Sequence, residues 1–231
     1  MPRLFTFLPV AIGPRTLPGA MGPGIFLHRS RSSENISRVG FGHVADRRCV
    51  GRRCLKVQEA TEERVRRWLI QAEGYLELEM YHQACERLEA ADRTGFLPFE
   101  RAVLWGEYYR SRGRHETAIE KFEAARQLRP DNVQVAIGLG WSYKRLGRLD
   151  KAIEALERCL AANPEEAILH YNLACYYSLA RNRERMLEHF RRAISLHAPF
   201  RKAAVTESDF DPFRDDPAFQ ALIRDDASRS E

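Results

Sequence analysis

Residues 99–132 read FERAVLWGEYYRSRGRHETAIEKFEAARQLRPDN, and residues 133–166 read VQVAIGLGWSYKRLGRLDKAIEALERCLAANPEE. Set one above the other, they coincide at an offset of 34 positions. Gly106 meets Gly140, Tyr109 meets Tyr143 and Gly113 meets Gly147. Ala118 meets Ala152, Phe122 meets Leu156, Ala125 meets Cys159 and Pro130 meets Pro164. A fixed period of this length marks stacked supersecondary units, none of which buries its apolar face alone.

Weaker copies flank the central two. Over 65–98, Trp68, Ala72, Tyr75, Ala84, Leu88 and Ala91 hold the matching places. Over 167–200, Leu173, Ala174, Tyr177, Phe190 and Ala193 fit, but Met186 replaces the small residue and Arg181 the glycine. Irregular end copies are usual in a stack, and four copies exceed the roughly three needed for independent stability.

Each copy reads as two helices. In 99–112 the apolar residues Ala102, Val103, Trp105 and Tyr109 recur at helical spacing. Gly113 permits the left-handed turn that ends this helix. A second helix over 115–128 carries Ala118, Ile119, Phe122 and Ala125 on one stripe, and Pro130 stops it. Asp131 or Asn132 can cap the next helix. The expected fold is therefore all-α: a solenoid of four helix-turn-helix repeats (65–98, 99–132, 133–166, 167–200). A helical cap and acidic tail over 201–231 follow.

This pattern resembles the tetratricopeptide repeat family over roughly 65–200. The segment YNLACYYSLA (171–180) is similar to a last repeat common in bacterial members. SDFDPFRDDPAFQAL (208–222) is similar to the capping segment that follows such repeats. The physics of that segment agrees: Asp216 suits an N-cap, Pro217 a first helical position, and Phe219, Leu222 and Ile223 can cover the open end of the stack. The resemblance implies a protein-interaction scaffold or assembly adaptor. It does not extend to the clamp by which some members hold chaperone tails. Of those places only Asn172 matches, and Leu69 and Glu73 stand where the clamp has Lys and Asn.

The formal charge of +5 is unevenly spread. Residues 1–56 carry +8 together with half of the glycines and five of eleven prolines, which leaves −3 for the rest. This composition is that of a disordered basic arm, with a helical domain beginning near Val57 and a helix start at Thr61-Glu62-Glu63. Three readings of the arm stay open: an organellar transit peptide, a short export signal over 4–12, or an extension read from a start upstream of Met21. Arg47-Arg48 and Arg52-Arg53 could touch phosphates, so a nucleic-acid- or membrane-surface protein targeted by the arm is the alternative functional class. No aromatics interleave that cluster, and a solvated tail explains it more simply. A regulatory subunit of a separate enzyme reads the same as a scaffold. No stretch approaches the roughly 20 apolar residues of a membrane span.

Five cysteines without regular spacing fit a reducing, cytoplasmic compartment better than a disulfide framework. Cys49 and Cys54 have no second Cys/His pair nearby to complete a zinc site, and Cys159 fills a small-residue slot of the period. His82 and Cys85 share a helix face, but two ligands do not make a metal site. No His-Glu-x-x-His, nucleophile elbow or phosphate-binding glycine loop is present. Paired acids such as Glu154/Glu157 and Glu184/Glu188 read as solvated surface. The expectation is no enzyme, no metal and no cofactor.

A ligand of such a stack sits on the concave face, lined by the first helix of each pair. The residues that point away from the partner helix are Val103, Glu107 and Arg110, then Ile137, Trp141, Lys144 and Arg145, then Ile168, Tyr171, Cys175 and Ser178. Leu69, Glu73 and Leu76 extend the line. Trp141 is the most informative of them. It lies about 200° round the helix from the packing residue Tyr143, so it should not share that inner face. It reads either as a binding anchor with a basic rim from Lys144 and Arg145, or as packing against the neighbouring repeat. The expected partner is a protein or peptide segment with an apolar anchor and an acidic group.

Overall fold

The computed structural model describes residues 47–224 of the chain. The chain divides into two units, 1–56 and 57–231. Of the first, only 47–56 are described, as the leading turns of helix α1 (Arg47–Glu77). Expectations for 1–46 lie outside the described residues, as do the side chains of Cys49 and Cys54.

Helix α1 corrects the expected helix start. It runs through Thr61 without a break, and the Thr61 hydroxyl donates to the Val57 carbonyl one turn back (2.8 Å) instead of capping. The arm's prolines all lie before residue 24, and the run from Arg47 to Lys56 is rich in good helix formers. Net charge and glycine content had obscured that local propensity.

Helix pairs follow at steps of one period. Helix α1 is succeeded by α2 (Tyr81–Asp92), α3 (Pro98–Ser111) by α4 (His115–Leu128), α5 (Val133–Arg145) by α6 (Leu149–Ala162) and α7 (Ala167–Leu179) by α8 (Arg183–Leu196). The caps are local. Asn132 Oδ1 accepts from Val135 N (3.0 Å) at the start of α5, and Asn182 Oδ1 accepts from Arg185 N (3.1 Å) at the start of α8.

The turn inside each pair repeats in backbone even where the residue changes. Gly113 and Gly147 hold φ of 72° and 71°; Glu79 and Arg181, at the same place in the outer pairs, hold 57° and 59°. Two non-glycine residues thus accept the left-handed conformation because the stack geometry requires it.

The core is built from the small and aromatic residues of the period. Phe122 is fully buried between two glycines: a Cβ added at Gly106 or at Gly138 would lie 2.6 Å from its ring. Around it pack Val103, Ala118, Ala125, Val135 and Leu139. A second cluster of Val65, Leu69, Ala72, Leu88 and Ala91 joins α1 to α2 and meets Leu104 and Trp105 of α3. The first helices also touch each other, α3 against α5 and α5 against α7.

After α8 the chain turns back. Helix α9 (Phe200–Thr206), a 3-10 turn (Ser208–Phe213) and α10 (Pro217–Arg224) close the stack. Asp216 caps α10 by accepting from Ala218 N (2.9 Å) and Phe219 N (3.1 Å), and Arg183 of α8 grips the same carboxylate (2.5 Å). That guanidinium holds the Asp216 carboxyl below the usual carboxylate range. Phe219 and Phe210 are fully buried against Phe190, with ring centroids 5.0–5.3 Å apart. The 3-10 turn lies on α7, and α10 lies on α8 and α9.

Candidate binding groove

Four registers recur along the first helices at the 34-residue step: 66/100/134/168, 69/103/137/171, 73/107/141/175 and 76/110/144/178. The same four places mean different things at the two ends of the stack.

At the N-terminal end the face is open among the described residues. A cavity of about 230 Å³ is lined by Arg66, Leu69, Ile70 and Glu73 of α1, Phe99, Glu100 and Val103 of α3, and Gln134 of α5, with Leu97 and Leu104 beside them. Val103, expected as a groove residue, contributes to this wall but is 5% exposed and belongs mainly to the core. Ile70 is well exposed. Arg66, Glu100 and Gln134 were missed in the sequence although the period contains them: they are the register mates of Ile168.

In the middle, five of the expected residues gather. Trp141 is partly exposed and has two guanidiniums against its ring, Arg110 Cζ at 5.0 Å and Arg145 Cζ at 5.7 Å from the centroid. Arg110 is also held by Glu107 of its own helix (2.5 Å). Ile137 sits one turn from Trp141 on α5 and is partly exposed. His115, at the start of α4, meets the Trp141 ring edge-on at 5.1 Å. Burial, then the Arg145 charge, pushes the His115 imidazole below its usual value. Its Nδ1 is buried without a hydrogen-bond partner. His115 was read in sequence only as a helix start, because its approach to Trp141 crosses from one repeat to the next.

At the C-terminal end the expected groove residues are covered, and the expectation is corrected there. Tyr171 is 2% exposed and Cys175 is 3% exposed. The Tyr171 ring stacks on Phe200 at 4.6 Å and meets Phe210 edge-on at 5.9 Å. Lys144 is committed to Asp209 of the 3-10 turn, Nζ to Oδ2 2.6 Å, with both side chains largely buried. Ser178 is fully buried. Burial raises the Tyr171 hydroxyl and the Cys175 thiol well above their usual values, with Asp209 and Glu207 adding to it. Ile168 remains partly exposed, and its carbonyl accepts from Asn172 Nδ2 (2.8 Å), which ties up the one clamp-like amide. The returning segment 200–213 thus occupies the face on which a partner was expected. The capping role was read from the sequence, but its reach onto the inner face was not, because no local signal places residue 209 beside residue 144.

The remaining polar groups are spoken for by structure. His82 pairs with Glu86 (3.5 Å) and Cys85 faces Glu89 (3.5 Å), so the two do not converge. Glu154 pairs with Arg158, and Glu157 takes both Arg185 and the Tyr177 hydroxyl. Cys159 is buried, its thiol facing the Asp131 carbonyl (3.5 Å). Among the described residues no three His, Cys, Asp or Glu side chains gather as a metal site, and no helix is long and apolar enough to cross a membrane.

A family model described as tetratricopeptide repeat matches residues 109–174. Over that stretch the chain carries the tetratricopeptide repeat. Solved structures agree on the fold. A MamA protein superposes with a TM-score of 0.56 at 17% identity, covering 69% of this chain and 86% of that one. A thermophilic tetratricopeptide-repeat protein of Thermus thermophilus, TTC0263, also gives 0.56 at 17% identity, over 68% and 86%. A second MamA structure gives 0.53 at 21% identity, over 70% and 99%. No curated protein matches the sequence. Tetratricopeptide-repeat proteins are generally scaffolds without catalysis, which fits a groove whose chemistry is cationic and aromatic.

Proposed function

We propose that this tetratricopeptide-repeat chain is a non-catalytic interaction scaffold or assembly adaptor, and that it binds a peptide or extended protein segment on the open part of its inner face, from the first to the third repeat. The observation that carries this reading is the state of Trp141. A partly exposed tryptophan with two arginines against its ring is the usual make-up of a binding anchor, where aromatic and Arg side chains supply most of the energy. The open cavity beside α1 and α3 supplies apolar surface along the same face. The filled C-terminal end sets the limit of the site.

The test is affinity capture with the full chain, compared with Trp141→Ala and with Arg145→Glu. Both substitutions lie on the partly exposed face and leave the core pairs alone. A genuine partner is retained by the parent chain and lost from both variants. Equal retention by all three would place binding elsewhere and remove the groove reading.

A further inference from the structure

The solenoid shows what its inner face recognises, because it has already bound such a segment from its own chain. The cap seats Asp209 on Lys144 (2.6 Å) and lays aromatic rings against Tyr171, with Cys175 beneath. One period toward the N-terminus, these three seat residues become Arg110, Ile137 and Trp141. Their chemistry is preserved: a cation for Lys144, an apolar side chain for Tyr171, and a larger apolar surface for Cys175. Their exposure is not, for Ile137 and Trp141 are both partly open where Tyr171 and Cys175 are shut.

We propose that the seat formed by Arg110, Ile137 and Trp141 takes a partner segment of the chemistry of Asp209-Phe210, a carboxylate followed directly by an aromatic ring. This rests on the groove reading above and names its ligand. Charge complementarity fixes the polarity of the ligand. Arg110 is shared with Glu107, but Arg145, also against the Trp141 ring, makes no ion pair among the described residues. The buried, unpartnered Nδ1 of His115 sits against the same ring. An incoming carboxylate beside the Trp141 ring gains charge-assisted donors from Arg110 and Arg145, and its neighbouring aromatic ring covers Ile137 and Trp141 as Phe200 and Phe210 cover Tyr171. Glu107 makes the seat selective, since a segment without an acid does not displace it from Arg110.

The probe is a fluorescein-labelled, end-blocked peptide with the sequence of residues 207–213, titrated against the full chain by anisotropy. The expected result is saturable binding that weakens at least tenfold for Trp141→Ala and for Arg145→Gln. It weakens equally when the peptide carries Asp209→Asn or Phe210→Ala. Arg145 is exposed, so its substitution tests the seat even if Trp141→Ala unsettles the fold. Binding untouched by both variants but weakened by Lys144→Gln would show the peptide invading the cap's own seat, and would overturn the proposal. Absence of binding would overturn it too. In that case, capture of a partner that still depends on Trp141 leaves the groove reading standing with a ligand of different chemistry.

Discussion

Two seats on one inner face, a single repeat apart, have opposite fates. Lys144, Tyr171 and Cys175 are closed over by residues 200–213, whereas Arg110, Ile137 and Trp141 are partly open. The backbone beneath them is the same, as the recurrent positive φ at Glu79, Gly113, Gly147 and Arg181 shows. Repetition therefore sets where such a cluster lies, and the rest of the chain sets whether it is covered. A last repeat has no neighbour to bury its outer surface, so it must be covered by something with a polar outside. Here the covering segment carries acids and aromatics together, and it reaches round onto the inner face.

The largest expected effect breaks the filled seat. Phe210 is fully buried and touches Phe190, Phe219 and Tyr171. Truncating a buried Phe to Ala costs about 3–5 kcal/mol. Phe210→Ala should lower the urea midpoint by a corresponding amount and raise hydrogen exchange over 200–224. Protection over 99–128 should change little, since the cap packs on α7 and α8 and pairs with Lys144 of α5. Equal loss of protection in both regions would mean that filled and open ends unfold as one unit.

The fold was legible because its signal is repeated. Gly106, Tyr109, Ala118 and Pro130 each return one period later, so an error at one place is corrected at the next. Helix-pair boundaries followed from Gly113 and Pro130. The geometry of the candidate site was half legible. The registers of Trp141, Arg110 and Arg145 come from helix geometry alone, and the structure brings these residues together. The closure of Tyr171 and Cys175 depends on a contact across 65 positions, Lys144 to Asp209, and no periodicity encodes it. His115 was invisible for the same reason at shorter range. The start of α1 was misread because a global charge count outweighed local helix propensity in 47–56.

The filled end should carry a pH dependence of its own, beside the one that the lowered His115 gives the open end. His170 and His189 are buried between α7 and α8, with their Nδ1 atoms 3.0 Å apart. The Pro164 carbonyl can only accept, so His170 Nε2 donates to it (3.1 Å) and neutral His170 accepts at Nδ1 from His189. His189 Nε2 is then bare, buried and without a hydrogen-bond partner. Protonating it there is costly: burial, then His170 and Arg185, lower His189 to about 4, against partial compensation from Glu188 and Glu157. A folded value below the unfolded one means that the unfolded chain binds the extra proton first. The stability from neutral His189 is complete above about 6.5 and is lost as pH falls toward 4, on the order of 2 kcal/mol between pH 8 and 5. Denaturant titrations at both pH values should show this difference shrinking in His189→Gln. An unchanged difference would assign the pH dependence to His115 or to the surface carboxylates.

A smaller effect probes the open end. Gly138 is not part of the period, yet a Cβ there would sit 2.6 Å from Phe122 Cζ. Phe122 is fully buried and is bounded on the other side by Gly106 at the same distance, so its ring has nowhere to move. Overpacking of about 1–3 kcal/mol is offset by the roughly 1 kcal/mol that Ala gains over Gly in a helix. Gly138→Ala should therefore destabilise by about 1 kcal/mol net and loosen the α3–α5 face on which Trp141 stands. Gly140→Ala, whose Cβ meets Tyr176 at 3.1 Å and Leu156 at 3.3 Å, tests the same idea with less steric conflict and should be close to neutral. Thermal melts that rank Gly140→Ala below Gly138→Ala would refute this reading of the core.

The smallest effect asks whether the two ends bear equal strain. Arg181 in the turn between α7 and α8 and Glu79 in the turn between α1 and α2 hold the left-handed conformation that Gly113 and Gly147 hold between them. For an L-residue with a Cβ this conformation costs about 1–2 kcal/mol. A glycine relieves that strain but loses more freedom on folding, about 0.5–1 kcal/mol. Arg181→Gly and Glu79→Gly should thus each stabilise by about 0.5 kcal/mol, seen as a small rise in urea midpoint. The gain should differ in kind between the ends. Relief at Arg181 feeds a turn already held down by the Arg183–Asp216 pair and the cap, so it should slow unfolding of the last repeat. Relief at Glu79 acts on the turn between α1 and α2 and should appear as reduced hydrogen exchange in those two helices. If both substitutions protect the same amides, strain is shared through the whole stack, and the filled and open halves of the face respond together.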